Sequence, residues 1–342
     1  MWKPTRRSPD LALALQGGGA HGAFTWGVLE ALLESGPGTI TAVSGASAGA
    51  MNAIVLADGL LAGGRDGARE ALARFWTAVA GQVASEWWSI DDGENIVLIG
   101  PARLLMQWAQ FVSPYQASMK GFDPLRAVLA EQIDFERLRS QTHIALFVSA
   151  TNARTGRLRV FRTPELSVEA ALASACLPTV QRAVVIDGEP YWDGAYSANP
   201  AIFPLLNETP ARDLLLVMLT PHDFGETPQS VAEIRSRAVD IAFNASFLRE
   251  MRSLAESRAR AQRSHWPWGD DSRTKRLRWH LIDGHDALST LPAESRMIAR
   301  LSFLERLRDA GRAQTLAWLS SHGETIGDRS SLDLRARFGS EA

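Results

Sequence analysis

The stretch from Thr39 to Asn52, TITAVSGASAGAMN, leaves the backbone few paths. Its first half is β-branched and apolar, as a buried strand requires. From Ala48 to Ala53 it is small and helix-compatible. Between the halves lies Gly45-Ala46-Ser47-Ala48-Gly49, a G-x-S-x-G at a strand-to-helix junction. A serine at the tip of so sharp a turn needs neighbours without bulk, and Gly45 and Gly49 let strand and helix approach closely. The first amides of the following helix favour negative charge at the turn. Ser47 is therefore a candidate nucleophile. The pattern also arises by chance in a chain with 27 Gly, so its weight depends on what surrounds it.

A second glycine cluster lies upstream. Leu11 to Gln16 is a short apolar run that ends in Gly17-Gly18-Gly19-Ala20-His21-Gly22, and residues 23–33 then carry apolar side chains at helical spacing. This is again strand, glycine loop, helix, and such a loop presents amides to an anion. Two uses compete: phosphate binding and an oxyanion hole for acyl transfer. No Lys-Ser/Thr follows, so the Walker pattern fails. Gly17, Gly19 and Gly22 do fit G-x-G-x-x-G, but the acidic residue expected about 20 positions on is missing from Gly38 to Ala42. A nucleophile turn arrives there instead, which favours the oxyanion hole. His21 has no evident carboxylate to orient it, so it is expected to fix loop shape and not to act as a general base.

The rest of the chain reads as alternating strands and helices. A helix is expected over Asp66 to Gln82, with Leu72, Phe75, Trp76 and Val79 on one face. From Ser85 to Gly121 the pattern is irregular. It contains Trp87-Trp88, an acidic turn at Asp91 to Glu94, and an apolar segment from Leu104 to Phe111 that suits either a cap over an apolar substrate or a core helix. Asp123-Pro124 starts a helix as N-cap and first residue. Ile144 to Ser149 and Asp213 to Thr220 read as buried strands, Leu158 to Arg162 as a hairpin return, and Val168 to Ala175 as a small-residue helix. Val184 to Glu189 reads as strand and turn, and Asp193-Gly194 as part of a loop after two aromatics. A long helix is expected over Ser230 to Ser264, broken by His265-Trp266-Pro267-Trp268-Gly269. A last strand follows at Trp279 to Asp283, a final helix at Ser302 to Ser320, and a loosely held polar tail after Gly323.

A length of 342 residues with 46% hydrophobic and 22% charged residues is that of an ordinary globular chain. A net charge of −2 argues against nucleic acid as the main partner. The single cysteine, Cys176, excludes an internal disulfide and a cysteine-based metal cluster. The basic N-terminus precedes an apolar run too short for a signal peptide, and no stretch approaches the ~18 apolar residues of a spanning helix. A soluble, cytoplasmic protein is the expectation. Between Glu233 and Arg278, 11 Arg and Lys stand against 6 Asp and Glu beside Trp266, Trp268 and Trp279. That stretch suits either a solvated helix face or peripheral contact with anionic lipid.

Taken together, the pieces resemble patatin-like phospholipases. Three motifs occur in order: the glycine loop Gly17 to Gly22, the G-x-S-x-G of Gly45 to Gly49, and Asp193-Gly194-Ala195. A weaker fourth is Ser174-Ala175-Cys176-Leu177-Pro178. The resemblance covers roughly the first 220 residues. It implies an α/β fold, a three-layer α/β/α sandwich with a mainly parallel central sheet. It also implies a Ser–Asp dyad with Ser47 as nucleophile and Asp193 as base, and an oxyanion hole from Gly17, Gly18 and Gly19. His21, Gly22, Gly45, Gly49 and Gly194 would support these loops. The family usually carries Arg or Lys where this chain has His21. The reaction implied is hydrolysis of a lipid ester without metal or cofactor. One domain is expected over 8–322, with a motif-bearing core at 11–220, a helical extension at 228–322 and a polar tail at 323–342.

The chemistry is coherent without the family. A carboxylate of pKa ~4 is a poor acceptor for a serine proton at neutral pH. Apolar surroundings raise that pKa, and Tyr191 and Trp192 are placed to supply them. Two rivals remain. A Ser–His–Asp esterase would draw its base from His222, His265, His280, His285 or His322. A catalytically silent lipid- or protein-binding module would use the fold without the reaction.

Overall fold

The alternation Leu-Ala-Leu-Ala-Leu in the first strand already sorts the molecule into layers. The computed structural model describes residues 8–82, 89–91, 93, 96–100, 113–116, 123–221, 224–263 and 275–339. Trp87-Trp88, Leu104 to Phe111, His222 and His265 to Gly269 lie outside them. In chain order the elements are β1 (Asp10–Leu15), α1 (Gly22–Ser35), β2 (Thr39–Ala46), α2 (Ala48–Gln82), and the hairpin β3 (Ser89–Asp91) and β4 (Ile96–Leu98). Next come α3 (Pro124–Gln132), α4 (Phe135–Ser140), β5 (Ala145–Asn152), β6 (Leu158–Arg162), α5 (Val168–Ser174), β7 (Val184–Ile186) and β8 (Glu189–Asp193). The chain continues through α6 (Phe203–Asn207), β9 (Asp213–Met218), α7 (Val231–Arg263), β10 (Arg278–Asp283), α8 (His285–Leu288), α9 (Leu301–His322) and α10 (Leu334–Phe338).

Successive side chains of a strand point to opposite faces. Leu11, Leu13 and Leu15 of β1 join a core with Phe24 and Leu29 of α1, Ile54 of α2 and Phe303 of α9. Ala12 and Ala14 join a second core with Leu205 of α6, Phe247 and Met251 of α7, and Phe338 of α10. The fold is thus α/β, with helices on both faces of one sheet. Five strands, in the order β10-β9-β1-β2-β5, run parallel. β6 and β8 are antiparallel to β5, and β7 is antiparallel to β8.

The edges of β5 are shared in a way that matters for the site. β6 pairs with β5 from Phe147 to Thr151, which occupies one edge. β2 pairs with Ala145 to Ser149, and β8 with Ala150 to Asn152, so both must use the other edge. They run in opposite directions and meet end to end: Ala46 of β2 sits opposite Ser149, and Asp193 of β8 opposite Ala150.

Elements expected from the sequence recur with small shifts. The helix over Asp66 to Gln82 is the second arm of α2, set off by a kink where Gly64 has φ +63°. Asp123 caps α3 by accepting the Arg126 N–H. Asp193, expected in a loop, instead closes β8, because pairing with Ala150 of β5 keeps the chain extended to that point.

The segment after Gly323 is not loosely held. The Gly327 N–H donates to Asp213 at 2.9 Å, and the Ser331 and Leu332 amides donate to the Trp279 carbonyl. Leu334 and Phe338 are buried, with the Phe338 ring edge-on to Phe247. Two buried apolar residues in a short capped helix, with these backbone bonds, dock an otherwise polar tail. Among the described residues no helix is long and apolar enough to cross a membrane.

Candidate active site

β2 ends at Ala46, and α2 begins at Ala48. Ser47 between them has φ +54°, a left-handed conformation that costs a non-glycine residue of order 1 kcal/mol and persists only where its surroundings hold it. Two contacts do so. The Ser47 N–H donates to Ser174 Oγ at 3.0 Å, and the Met51 N–H takes the Ser47 carbonyl into the first turn of α2. A Cβ on Gly17 would lie 2.7 Å from the Ser47 Cβ and 2.8 Å from the Ala46 carbonyl, so only glycine lets the upstream loop lie this close to the serine.

Asp193 reaches Ser47 because β2 and β8 abut on β5. Its side chain is 1% exposed. Oδ1 accepts the Ala195 N–H at 2.8 Å, and the carboxylate lies beside the Ser47 hydroxyl. Burial raises its pKa to about 6, while the Ala195 bond and then the nearby Ser47 hydroxyl pull the other way. Its backbone is equally fixed. The Asp193 N–H donates to the Cys176 carbonyl at 2.8 Å, and its carbonyl accepts from Thr151 Oγ1 at 2.8 Å. One stretch, Ser174-Ala175-Cys176, therefore braces both members of the pair: its first side chain holds Ser47 and its last carbonyl holds Asp193. The Cys176 thiol is buried, its pKa pushed up to about 11 chiefly by burial, which leaves it inert as a nucleophile.

The glycine loop departs from expectation at one residue. The Gly17 N–H donates to Asn199 Oδ1 at 2.7 Å, so it is engaged before any substrate arrives. Gly18 and Gly19 lie at the head of a short 3-10 turn whose first bond runs from the His21 N–H to the Gly18 carbonyl. Among the described residues nothing accepts from their two amides, as the first donors of a helical turn are left over by its geometry. Gln16 fixes the loop from below: Oε1 accepts the Leu219 and Thr220 amides, and Nε2 donates to Asn244.

His21 is buried and bonds Ser295 Oγ through Nε2 at 2.7 Å, with the Phe303 ring edge-on. Burial, and then the charge of Arg296, lower its pKa to about 3. The ring is neutral in any ordinary buffer. Arg296 in turn pairs with Asp240, and its carbonyl backs Gly19. Gly22, Gly45 and Gly49 pack the two strand–helix turns together, and Gly194 lies against the Ser149 carbonyl.

The other described histidines lie apart from the pair. His280 is fully buried between Ser331 and Asp213. Burial pushes the Asp213 carboxyl up, but hydrogen bonds from Arg278, His280 and Gly327 win and hold it well below the usual carboxylate range. His322 stacks on Trp318. Among the described residues no group of His, Cys, Asp or Glu is placed to hold a metal ion. Tyr191 packs on Phe161, ring centroids 5.6 Å apart. The sequence offered no signal for Gln16 and Asn199, whereas Ser174 and Cys176 stood inside a quoted motif whose work was not apparent.

A sequence model described as patatin-like phospholipase matches residues 13–206. No curated protein matches the chain. Among solved structures, VipD from Legionella pneumophila is similar at 19% identity and a TM-score of 0.42, covering 92% of this chain and 67% of its own. Full-length ExoU of the Pseudomonas aeruginosa type III secretion system, solved in complex with SpcU, is similar at 17% identity and a TM-score of 0.32, covering 91% of this chain and 53% of its own. A second structure of the type III effector ExoU is 16% identical with a TM-score of 0.28, covering 96% of this chain and 78% of its own.

Proposed function

The chain belongs to the patatin-like phospholipase family, and from that premise we propose that it hydrolyses lipid esters through Ser47 and Asp193, with no third catalytic residue. The observation that carries the reading is a buried Asp193 carboxylate, its pKa raised to about 6, held beside the Ser47 hydroxyl where β2 and β8 meet on β5. An acceptor with that pKa takes the serine proton more readily than an ordinary aspartate does. In the proposed mechanism Ser47 Oγ attacks the acyl carbonyl and its proton passes to Asp193. The developing oxyanion meets the Gly18 and Gly19 amides, and loss of one such donor typically costs ~3 kcal/mol in the transition state. Asp193 returns the proton to the leaving alcohol. It then takes one from the water that cleaves the acyl-enzyme.

Arg296 bears on the His21 departure. The family usually carries a cation at that position, and here a guanidinium from a distant part of the chain stands close enough to disfavour His21 protonation. A guanidinium thus stands near the loop from a different part of the chain, its charge paired with Asp240.

The test is hydrolysis of p-nitrophenyl esters of graded chain length by the wild type, Ser47→Ala and Asp193→Asn, with fluorophosphonate labelling of Ser47. Both variants are expected to lose at least ~10³-fold in kcat with circular dichroism unchanged. An active Asp193→Asn beside a dead His280→Ala or His285→Ala would replace the dyad with a triad. A wild type that neither turns over any ester nor labels would favour the silent binding module.

A further inference from the structure

α7 is longer than the sheet it covers. Asn244, fully buried, bonds Gln16 at the level of the glycine loop, and Phe243 meets Tyr196 edge-on at 4.6 Å, three residues past Asp193. From Asn244 back to Val231 the helix continues for about 20 Å, beyond the catalytic end of the sheet. Its outer face there carries exposed apolar side chains, with the exposed Arg235 beside them: Val231 is 67% exposed, Ile234 49% and Ile241 51%. Met297 beside Arg296 and Val180 beyond Cys176 are exposed at the same end. Farther along the helix the outer face changes character. Arg249, Arg252 and Arg260 lie on the angular positions held by Val231 and Ile234, and all three are exposed. Arg249 and Arg252 meet no carboxylate among the described residues, while Arg260 bonds Ser257 Oγ at 3.0 Å and stands 3.9 Å from Glu256, an exposed carboxylate on the same face.

We propose that this face of α7 seats the protein on an anionic lipid surface, with the Val231–Ile234 tip among the acyl chains and Arg249 and Arg252 at the headgroups. The inference rests on the lipid-ester reading of the site and names where that substrate is met. Exposed apolar side chains at one end of a helix face, followed by unpaired guanidiniums on the same face, fit the depth profile of an anionic interface, apolar inside and negative at its surface. The tip also stands at the end of the sheet where Ser47 opens. A lipid ester displaced from the surface would have a short path to it.

The experiment uses the full chain carrying Ser47→Ala, so that vesicles survive, and measures co-sedimentation with phosphatidylcholine vesicles with and without phosphatidylglycerol. The parent should bind the anionic vesicles preferentially. Val231→Asp with Ile234→Asp should weaken that binding about tenfold or more. Arg249→Gln with Arg252→Gln should reduce only the preference for anionic vesicles, about tenfold. In the Ser47 background the tip variant should hydrolyse a soluble short-chain ester within about twofold of wild type, since both residues are exposed and lie on the helix beyond Phe243 and Asn244, which meet the site's loops. Equal sedimentation of parent and tip variant overturns the proposal. So does a parent whose mass by light scattering halves, without vesicles, on introducing the tip changes, because the face then belongs to a second copy. If the wild type hydrolyses no ester while vesicle binding still depends on the tip, the hydrolase reading falls and the surface stands.

Discussion

The Gly17 amide and the Asn199 side chain, 2.7 Å apart and 182 residues apart in sequence, tie the glycine loop to the loop that follows Asp193. Both groups are buried. The two halves of the proposed site are thereby held in one frame, and Gly17 is a structural donor where a catalytic one was expected.

Asn199→Ala leaves that buried N–H without a partner. The expected cost is about 1–3 kcal/mol of stability in urea unfolding. Because the Gly18 and Gly19 amides move with the loop, kcat should fall more than about tenfold with KM little changed. Steady-state kinetics on a soluble ester would show the split, and an equal fall in stability with kcat intact would mean that Asn199 only packs.

In the proposed mechanism Asp193 sets the acid side of the pH profile. As the proton acceptor it must start ionised, so kcat/KM should fall as pH drops through about 6, where an unshifted aspartate would hold activity nearly two units lower. His21, at about 3, adds no limb in that range. The same shift carries a stability consequence. A carboxyl whose folded pKa is raised stabilises the fold while protonated, and that contribution is lost as pH rises through about 6. At pH 7 and above Asp193→Asn should therefore be inactive yet more stable by about 1–3 kcal/mol, since Asn can still accept the Ala195 N–H. The gain should vanish near pH 4. Chemical unfolding at the two pH values tests it.

Docking of the tail should be measurable. Phe338→Ala removes a buried ring from the core shared with Phe247 and should cost about 3 kcal/mol. Thermal melting checks this, and a melting point within a degree of wild type would mean the tail is dispensable.

The turns were legible because their chemistry is local. A serine between two glycines at a strand–helix junction, and glycines after an apolar strand, reveal themselves within ten residues. What held them in place was not legible. Ser174 takes the Ser47 amide across 127 positions, and Asn199 takes that of Gly17 across 182. Neither partner has a type or spacing that announces the contact. The end of β8 was misread because Asp-Gly is the commonest of turn signals, whereas pairing on β5 decided its conformation. The tail was misread because its composition is polar and few of its apolar residues, Ile326, Leu334 and Phe338 among them, are buried.

The end-to-end meeting of β2 and β8 on one edge of β5 makes β5 a ruler. The separation of Ser47 and Asp193 is read off neighbouring marks, Ser149 and Ala150, and not off the chain that joins them. Loops between the two can lengthen, shorten or be exchanged without touching the spacing of the reactive groups. Only a slip along β5 would change it. Such an arrangement lets lineages rebuild what surrounds the pocket, and so the choice of ester, while the reacting pair keeps its calibration.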